Sequence, residues 1–373
     1  MKKILILGAG NAQIDAIEYC HRQGITVAGC SYTNTDAGIP LLDEFEQVDI
    51  KDIDGVSDLA RRIGADAVYS VGSDLAVPTA MAVSERLGLP HFISYETAMI
   101  CHSKHLTRQK LGPDFEGNLR FLVCSSVEEA AAADIFPAMM KPVDSQGQRG
   151  CFRVDSREDI IAHFATSLDY SKEKKVIIEE FVDGPEVSVN AYLQGGELRF
   201  AIVSDRYVFD EYPGGIIKKH MIPSTFTNAD ASAESIDLTF RAAKAVGAYD
   251  GPVYAQIKID RDGHPKLLEI APRLDGCHMW NLIKHYCGAD LLDATFTHLL
   301  DGSAVLTDEY KYPADTYSLT FLSMETGRTF DRSIYDTAGA EYVCWYYDTG
   351  DTVRKLNGYI EKCGYMIKRE EQS

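Results

Sequence analysis

From Lys3 to about residue 95, short apolar runs alternate with stretches of helical length, and that alternation leaves few folds open. Lys3–Leu7, Ile25–Cys30, Phe45–Asp49, Ala67–Ser70 and His91–Ile93 read as strands. Ala12–Gln23, Val56–Ile63 and Pro78–Leu87 read as helices, the last stopped by Gly88. Strands and helices in strict alternation pack as a parallel sheet covered on both faces. The first run ends in Gly8-Ala9-Gly10-Asn11-Ala12-Gln13, just ahead of a helix, where backbone N–H groups can meet a phosphate. Gln13 stands where a dinucleotide fingerprint needs its third glycine, which counts against an NAD-dependent dehydrogenase. The glycines are read as a tight strand-to-helix turn, with a part in substrate binding left open. The opening apolar stretch is only strand-long and runs straight into this turn, so it is read as folded structure rather than a targeting segment.

Beyond residue 97 the pattern changes. Thr97–Leu111 reads as one helix, followed by the turn Gly112-Pro113-Asp114. Strands are expected at Arg120–Cys124, Ala138–Lys141, Cys151–Val154 and Val176–Phe181, with helices at Ser126–Ala132 and Ser156–Ser167. Glu186–Gln194 and Leu198–Val203 form a hairpin pattern across Gly195-Gly196. A helix over 231–246 leads to a second hairpin, Pro252–Ile259 and Pro265–Ile270, and Leu291–Leu300 is helical. From about 305 the tail returns to short Tyr-rich strands. The middle is therefore α+β with antiparallel hairpins.

Composition narrows the partners. With 37 Lys and Arg against 56 Asp and Glu, the formal charge is −19, and a phosphodiester backbone would be repelled, so nucleic acid is excluded as a general partner. A nucleotide can still bind, but only at a few well-placed cations. No apolar run reaches the length of a membrane span. The nine cysteines are scattered without CxxC pairs and read as reduced cytoplasmic thiols.

Three further segments carry candidate chemistry. Lys141 precedes a loop, Pro142–Gly150, that holds Ser145, Gly147, Arg149 and Gly150; such a loop can close on polyphosphate, although an ordinary surface hairpin would look the same. Glu179-Glu180-Phe181-Val182 and Glu186 form either a solvated acidic turn or a linker whose backbone reads an adenine edge while Glu186 holds ribose hydroxyls. The last segment is the most informative. The Asp262-Gly263 turn between its two strands brings Gln256 and Glu269 side by side. An amide oxygen and a carboxylate suit Mg2+, and Arg273 just beyond can meet phosphate bidentately. An unpaired Glu269 inside an apolar run would be costly. Singly, Lys104 reads as a solvated helix lysine, and His102, His105, His220, His278 and His285 read as satisfied histidines.

The ordered set Lys104, Lys141 with its glycine loop, Glu179–Val182, Glu186, Gln256 and Glu269-Ile270-Ala271-Pro272-Arg273 resembles the ATP-grasp superfamily, which includes biotin carboxylase, the carbamoyl-phosphate synthetase large subunit and D-alanine–D-alanine ligase. The resemblance runs from about residue 1 to 300. It implies an α/β Rossmann-like domain over 1–97 and an α+β ATP-grasp domain over 98–304, with a lid at about 112–182 and a larger part at about 183–304. A small β-rich C-terminal subdomain over 305–373 completes that division. It implies that Lys104, Lys141, Ser145, Gly147, Glu179, Glu180, Phe181, Val182 and Glu186 bind ATP. Gln256 and Glu269 would hold Mg2+, or Mn2+ in its place, and Lys141 and Arg273 would face the transferred phosphoryl group. Arg206, His220, Asp275, Gly276 and His278 are expected near the substrates. Many relatives have Asn two residues after the metal-binding Glu; Ala271 stands there, as in a similar Glu-x-x-Pro-Arg pattern of purine-pathway carboxylating members, and leaves the number of metal ions open.

The implied activity is that of a cytoplasmic ADP-forming carboxylate–amine ligase working through an acyl phosphate, on small-molecule substrates, with a homodimer allowed. Bicarbonate activation, as in carboxylases or carbamoyl-phosphate synthesis, and a nucleotide-binding homologue without turnover are the alternatives.

Overall fold

The computed structural model describes residues 2–145, 149–212, 215–304, 306–307, 309–355 and 358–370. The first part contains β1 (Lys3–Leu7), α1 (Asn11–Arg22), β2 (Thr26–Ser31), β3 (Glu44–Gln47), α2 (Ile53–Ile63), β4 (Ala67–Tyr69) and α3 (Val77–Leu87). Its four strands lie in the order β3-β2-β1-β4, all parallel. Ile4, Leu5, Ile6 and Leu7 of β1 are fully buried, two toward each face, because helices cover both sides. Gly8 turns the chain at φ +89, a backbone that favours glycine, and Gln13 Nε2 donates to the Val71 carbonyl at 2.5 Å. Gln13 therefore ties the ends of β1 and β4 together. His91–Ile93 is not a strand; Phe92 instead packs edge-on against Tyr69.

The expected helix Thr97–Leu111 is two helices, α4 (Tyr95–His102) and α5 (Lys104–Leu111). Ser103 between them is extended, and its hydroxyl lies 2.9 Å from His105 Nδ1. A side chain that bonds locally offers the backbone an alternative to helix. Then follow β5 (Phe121–Cys124), α6 (Val127–Ala131), β6 (Ala138–Pro142), β7 (Phe152–Val154), α7 (Arg157–Asp169) and β8 (Val176–Glu180). These strands form a separate antiparallel sheet in the order β5-β8-β6-β7, with its own core around Met140, Ile160, Phe164 and Ile178.

The remainder is β9 (Glu186–Gln194), β10 (Glu197–Val208), β11 (Ile217–Ile222), α8 (Ala229–Val246), β12 (Gly251–Ile259), β13 (Pro265–Ala271), α9 (Met279–Cys287), α10 (Leu291–Asp301), β14 (Tyr317–Glu325), β15 (Ala340–Trp345) and β16 (Ile360–Arg369). Eight strands join in the order β13-β12-β9-β10-β11-β14-β16-β15. The C-terminal strands thus extend the same sheet through the β11–β14 pairing.

The large sheet is two-faced by simple alternation. Val187, Val189 and Ala191 of β9 and Val253, Ala255 and Ile257 of β12 share a core with Leu238, Ala242 and Val246 of α8. Glu186, Ser188, Asn190, Tyr254, Gln256 and Lys258 point to the other face. Farther along, that face is closed by a second core of Trp280, Phe296, Leu319 and Tyr365. Among the described residues no helix is long and apolar enough to cross a membrane.

Candidate active site

Strand pairing sets the polar row. Gln256 stands opposite Glu269 on β13 and opposite Ser188 on β9, and Ser188 stands opposite Ser204 on β10. One step along, Lys258 faces Glu186, and Arg206 faces His220. Side chains directly opposite in antiparallel strands share a face, so Gln256 and Glu269 project together. Gln256 Nε2 donates to Glu186 Oε1 at 2.5 Å, and Arg206 Nη1 donates to the same oxygen. With the amide nitrogen engaged by Glu186, the carbonyl oxygen is the atom Gln256 has left for a cation.

Burial raises the Glu269 carboxyl above the ordinary range, and the neighbouring Asp74 raises it further. A carboxylate that resists ionising among other acids is a natural partner for a divalent cation. This oxygen-only donor pair fits Mg2+ or Mn2+ with other oxygens filling the shell. Among the described residues no cluster of three or more His, Cys, Asp or Glu forms a closed metal cage, so an ion here would share its shell with nucleotide or water.

Arg273 follows β13 and is 6% exposed. Its Nε and Nη2 donate to the two Asp74 oxygens at 2.5 and 2.6 Å, and its guanidinium lies over the Tyr254 ring. Burial alone would raise the Asp74 carboxyl, but Arg273 outweighs it and holds it below the usual range. Asp74 comes from the carboxyl end of β4, the edge of a parallel sheet where ligands collect. The same edge reaches the main sheet at a second point. A Cβ on Gly72, itself at φ +66, would come within 2.6 Å of Gly276 Cα. Gly276, expected to line the substrate pocket, lets two backbones touch here.

The small sheet supplies the lysine. Lys141 Nζ donates to Glu179 Oε2 at 2.7 Å, and Arg108 Nε donates to Oε1 at 2.6 Å. Arg108 also donates to Asn118 Oδ1 and the Leu268 carbonyl, so the small sheet, α5 and β13 meet at one guanidinium. Burial would raise the Glu179 carboxyl, but Lys141 and Arg108 outweigh it and hold it at about 2. Glu179 is 1% exposed with both oxygens engaged. It was expected among the ATP ligands; its place is beneath Lys141, which it positions. Lys104 Nζ donates to the Ser145 carbonyl at 3.0 Å, bringing two expected nucleotide residues together. Gly147 lies outside the described residues.

In the linker, the Glu180 and Phe181 N–H groups bond the Arg120 and Pro137 carbonyls, and the Val182 carbonyl takes Lys258 Nζ at 3.3 Å. Phe181 lies beneath both Arg153 and Lys258. The linker is thereby held rigidly between the two sheets.

The expected substrate residues divide. His220 is fully buried, its ring has at most a loose approach to the Asp205 backbone, and burial pushes its pKa down to about 4. Asp275 Oδ1 accepts the Cys277 N–H at 3.0 Å while Oδ2 has no partner. His278 departs from the expectation. At φ +57 it directs Nδ1 to Asp15 at 2.8 Å and Nε2 to the Tyr346 hydroxyl at 2.7 Å. Asp15 Oδ2 also receives Trp280 Nε1 at 2.8 Å and Asn281 Nδ2 at 3.0 Å. With both nitrogens engaged and 2% exposure, His278 belongs to a knot joining α1, α9 and the C-terminal strands.

Several site residues escaped the sequence reading: Asp74, Arg108, Ser188, Asn190, Tyr254 and Lys362. The alternation Glu186-Val187-Ser188-Val189-Asn190 was a usable signal for two of them. Lys362 had none, because β16 reaches the site only through its pairing with β14.

The sequence profile described as an ATP-grasp domain matches residues 135–280. Carnosine synthase 1 of Mus musculus is 28% identical over 261 residues, covering 63% of this chain and 31% of that protein, so the chain spans about a third of that relative's length. The structure superimposes on the biotin carboxylase domain of Hydrogenobacter thermophilus 2-oxoglutarate carboxylase, solved with MgADP and bicarbonate, with a TM-score of 0.82 at 14% identity, covering 99% of this chain and 86% of that one. It matches an L-amino acid ligase from Bacillus licheniformis with a TM-score of 0.79 at 18% identity, covering 100% and 94%. At those identities the likeness is one of fold. Residues 135–280 thus match the ATP-grasp domain, and the chain is similar in sequence to carnosine synthase 1 and in fold to these ligase and carboxylase structures.

Proposed function

We propose that this chain is an ADP-forming carboxylate–amine ligase whose ATP lies between the small sheet and the Gln256–Glu269 row. The observation that carries this reading is the placement of Gln256 opposite Glu269, with the Arg273–Asp74 pair beside them. The γ-phosphoryl group moves to a carboxylate oxygen and ADP leaves. An amine then attacks the acyl carbon and phosphate leaves. Little covalent work falls to the protein, which must align the groups and neutralise oxygens.

Each side chain has a part in that alignment. Lys141, held by Glu179, and Lys104, held by Ser145, supply fixed positive charge to the phosphates. The linker Glu180–Val182 and Glu186 hold the nucleoside. Arg273 meets the transferred phosphoryl group, exchanging Asp74 for phosphate oxygens. Gln256 and Glu269 would hold a divalent cation, which would supply charge neutralisation to the triphosphate.

The test is a coupled ADP-release screen of carboxylates crossed with amines, including bicarbonate as a carboxylate. ADP release that requires one acid and one amine supports the reading, and Glu269→Gln abolishes it while the protein stays folded. Turnover driven by bicarbonate alone would replace it with a carboxylase, and tight ATP binding without any ADP would replace it with a nucleotide-binding homologue.

A further inference from the structure

Beside the phosphoryl-transfer row lies a patch where the usual satisfaction of buried polar atoms breaks down. Buried side-chain nitrogens and oxygens are nearly always hydrogen-bonded, and each orphan costs free energy. Here Asn190 Nδ2, Arg206 Nε and Asp275 Oδ2 lack partners, the His220 ring has nothing beyond a loose approach to the Asp205 backbone, and Ser188 Oγ nothing beyond the Tyr254 hydroxyl. They come from β9, β10, β11 and the segment after β13, and β9 and β10 present theirs on the same polar face of the large sheet. Burial keeps His220 neutral at ordinary pH, so one of its nitrogens donates and the other accepts.

Charge adds a second, independent observation. Lys362 projects from β16 over the Phe321 ring at 3.5 Å, with Nζ 3.9 Å from Cys277 Sγ. Among the described residues Lys362 Nζ meets Cys277 Sγ and the Phe321 ring but forms no ion pair, although Asp275 holds the backbone N–H of that same Cys277. Asp275 is buried and Lys362 half-buried, and two opposite charges so placed on either side of one residue attract. Here each is fixed on its own strand or turn and they stay apart. A ligand bearing only negative charge would satisfy Lys362 and confront Asp275. One bearing only positive charge would do the reverse.

We propose that this patch is the pocket for a zwitterionic amino acid, with the ammonium on Asp275 and His220 and the carboxylate between Arg206 and Lys362. The proposal rests on the ligase reading for its place in the reaction, but not for its binding chemistry. Lys362 is its specificity-determining residue, contributed by the C-terminal strands.

The experiment is calorimetric titration of the full chain, saturated with a non-hydrolysable ATP analogue and Mg2+, with individual L-α-amino acids, their desamino acids and their amides. ADP release is measured with the same compounds. At least one amino acid is expected to bind, and its desamino acid and amide to bind about tenfold to a hundredfold more weakly, the usual worth of a hydrogen bond to a charged group. Lys362→Met is expected to weaken the amino acid by a similar factor and leave affinity for the ATP analogue unchanged; Lys362→Arg restores much of the loss. Desamino acids binding as well as amino acids, no amino acid binding at all, or unchanged affinity in Lys362→Met would each overturn the proposal. Amino-acid binding without ADP release from any acid and amine would leave the pocket standing and remove the ligase reading.

Discussion

The two halves of the site treat charge in opposite ways. On the nucleotide side each strategic cation already has a carboxylate or carbonyl: Lys141 on Glu179, Arg273 on Asp74, Lys104 on Ser145. On the other side Asp275 and Lys362 face one pocket unpaired, beside a neutral His220. Paired cations are held in place before ATP arrives and need only exchange one oxygen for another. Such preorganisation suits a ligand common to a whole family of reactions. Unpaired groups cost stability and are retained where they discriminate between substrates.

The contrast can be broken most forcefully at Glu179. Glu179→Ala leaves Arg108 and Lys141 without their shared counter-charge inside the protein. Removing one partner of a buried ion pair costs about 3–5 kcal/mol. The loss is expected as a lowered urea midpoint with ATP binding weakened alongside. A variant as stable as the parent would show that the cations relax to solvent and that the small sheet is not held by this triad. Glu179 also carries a pH signature. Its folded pKa of about 2 lies below its unfolded value, so its contribution is present above about 4.5 and lost as pH falls from there toward 2.

His220 should give the next largest effect, in a different window. Unfolded, it takes a proton below about 6.5; folded, it refuses until about 4. The unfolded state therefore binds more protons between these values, and stability falls as pH falls through them, by up to roughly 3 kcal/mol. The groups facing it are Asp275, which favours the proton, and Arg206 and Lys362, which oppose it. Denaturant titrations between pH 7 and 5 should show the slope in the parent and a shallower one in His220→Gln. Equal slopes would mean that His220 takes its proton in the folded state and that the pocket is not dry.

How far the sequence reached into this arrangement follows from how local each feature is. The Gln256–Glu269 pairing was legible because Asp262-Gly263 closes the hairpin and fixes its register close by. Even so, a bulge after Gln256 sets Ile257 opposite Leu267 and leaves Leu268 free to offer its carbonyl to Arg108. The first parallel strands were legible from apolar runs alone. The break at Ser103 was not, since neither glycine nor proline marks it. Glu179 and His278 were misread for one reason. Each sits in a motif read as facing ligand, while its own partners (Arg108, Asp15, Tyr346) lie far away in sequence. Asp74 and Lys362 reach the site through the docking of the four-stranded parallel sheet and the pairing of the last strands. Long-range placements of that kind leave no periodicity to read.

A smaller effect sharpens the comparison at Arg273. Arg273→Lys keeps the charge and removes the bidentate fork that Asp74 now holds. ADP release is expected to fall about tenfold to a hundredfold, with the loss in kcat rather than in KM for ATP, because the fork matters most when charge develops on the phosphoryl oxygens. A rise in KM alone would place Arg273 among the groups that merely bind ATP.

The smallest effect has the opposite sign, and for that reason tests the idea most directly. Asp275→Asn replaces an unpaired buried carboxylate, 5% exposed, with a neutral amide of the same shape. Without substrate, removal of a buried carboxylate oxygen that has no hydrogen-bond partner is expected to raise the urea midpoint, by on the order of 1 kcal/mol. The same change on the paired side, Asp74→Asn, is expected to lower it, because Arg273 would lose its counter-charge. If both substitutions destabilise equally, Asp275 has a partner in solution after all, and the division of the site into a satisfied half and a waiting half fails.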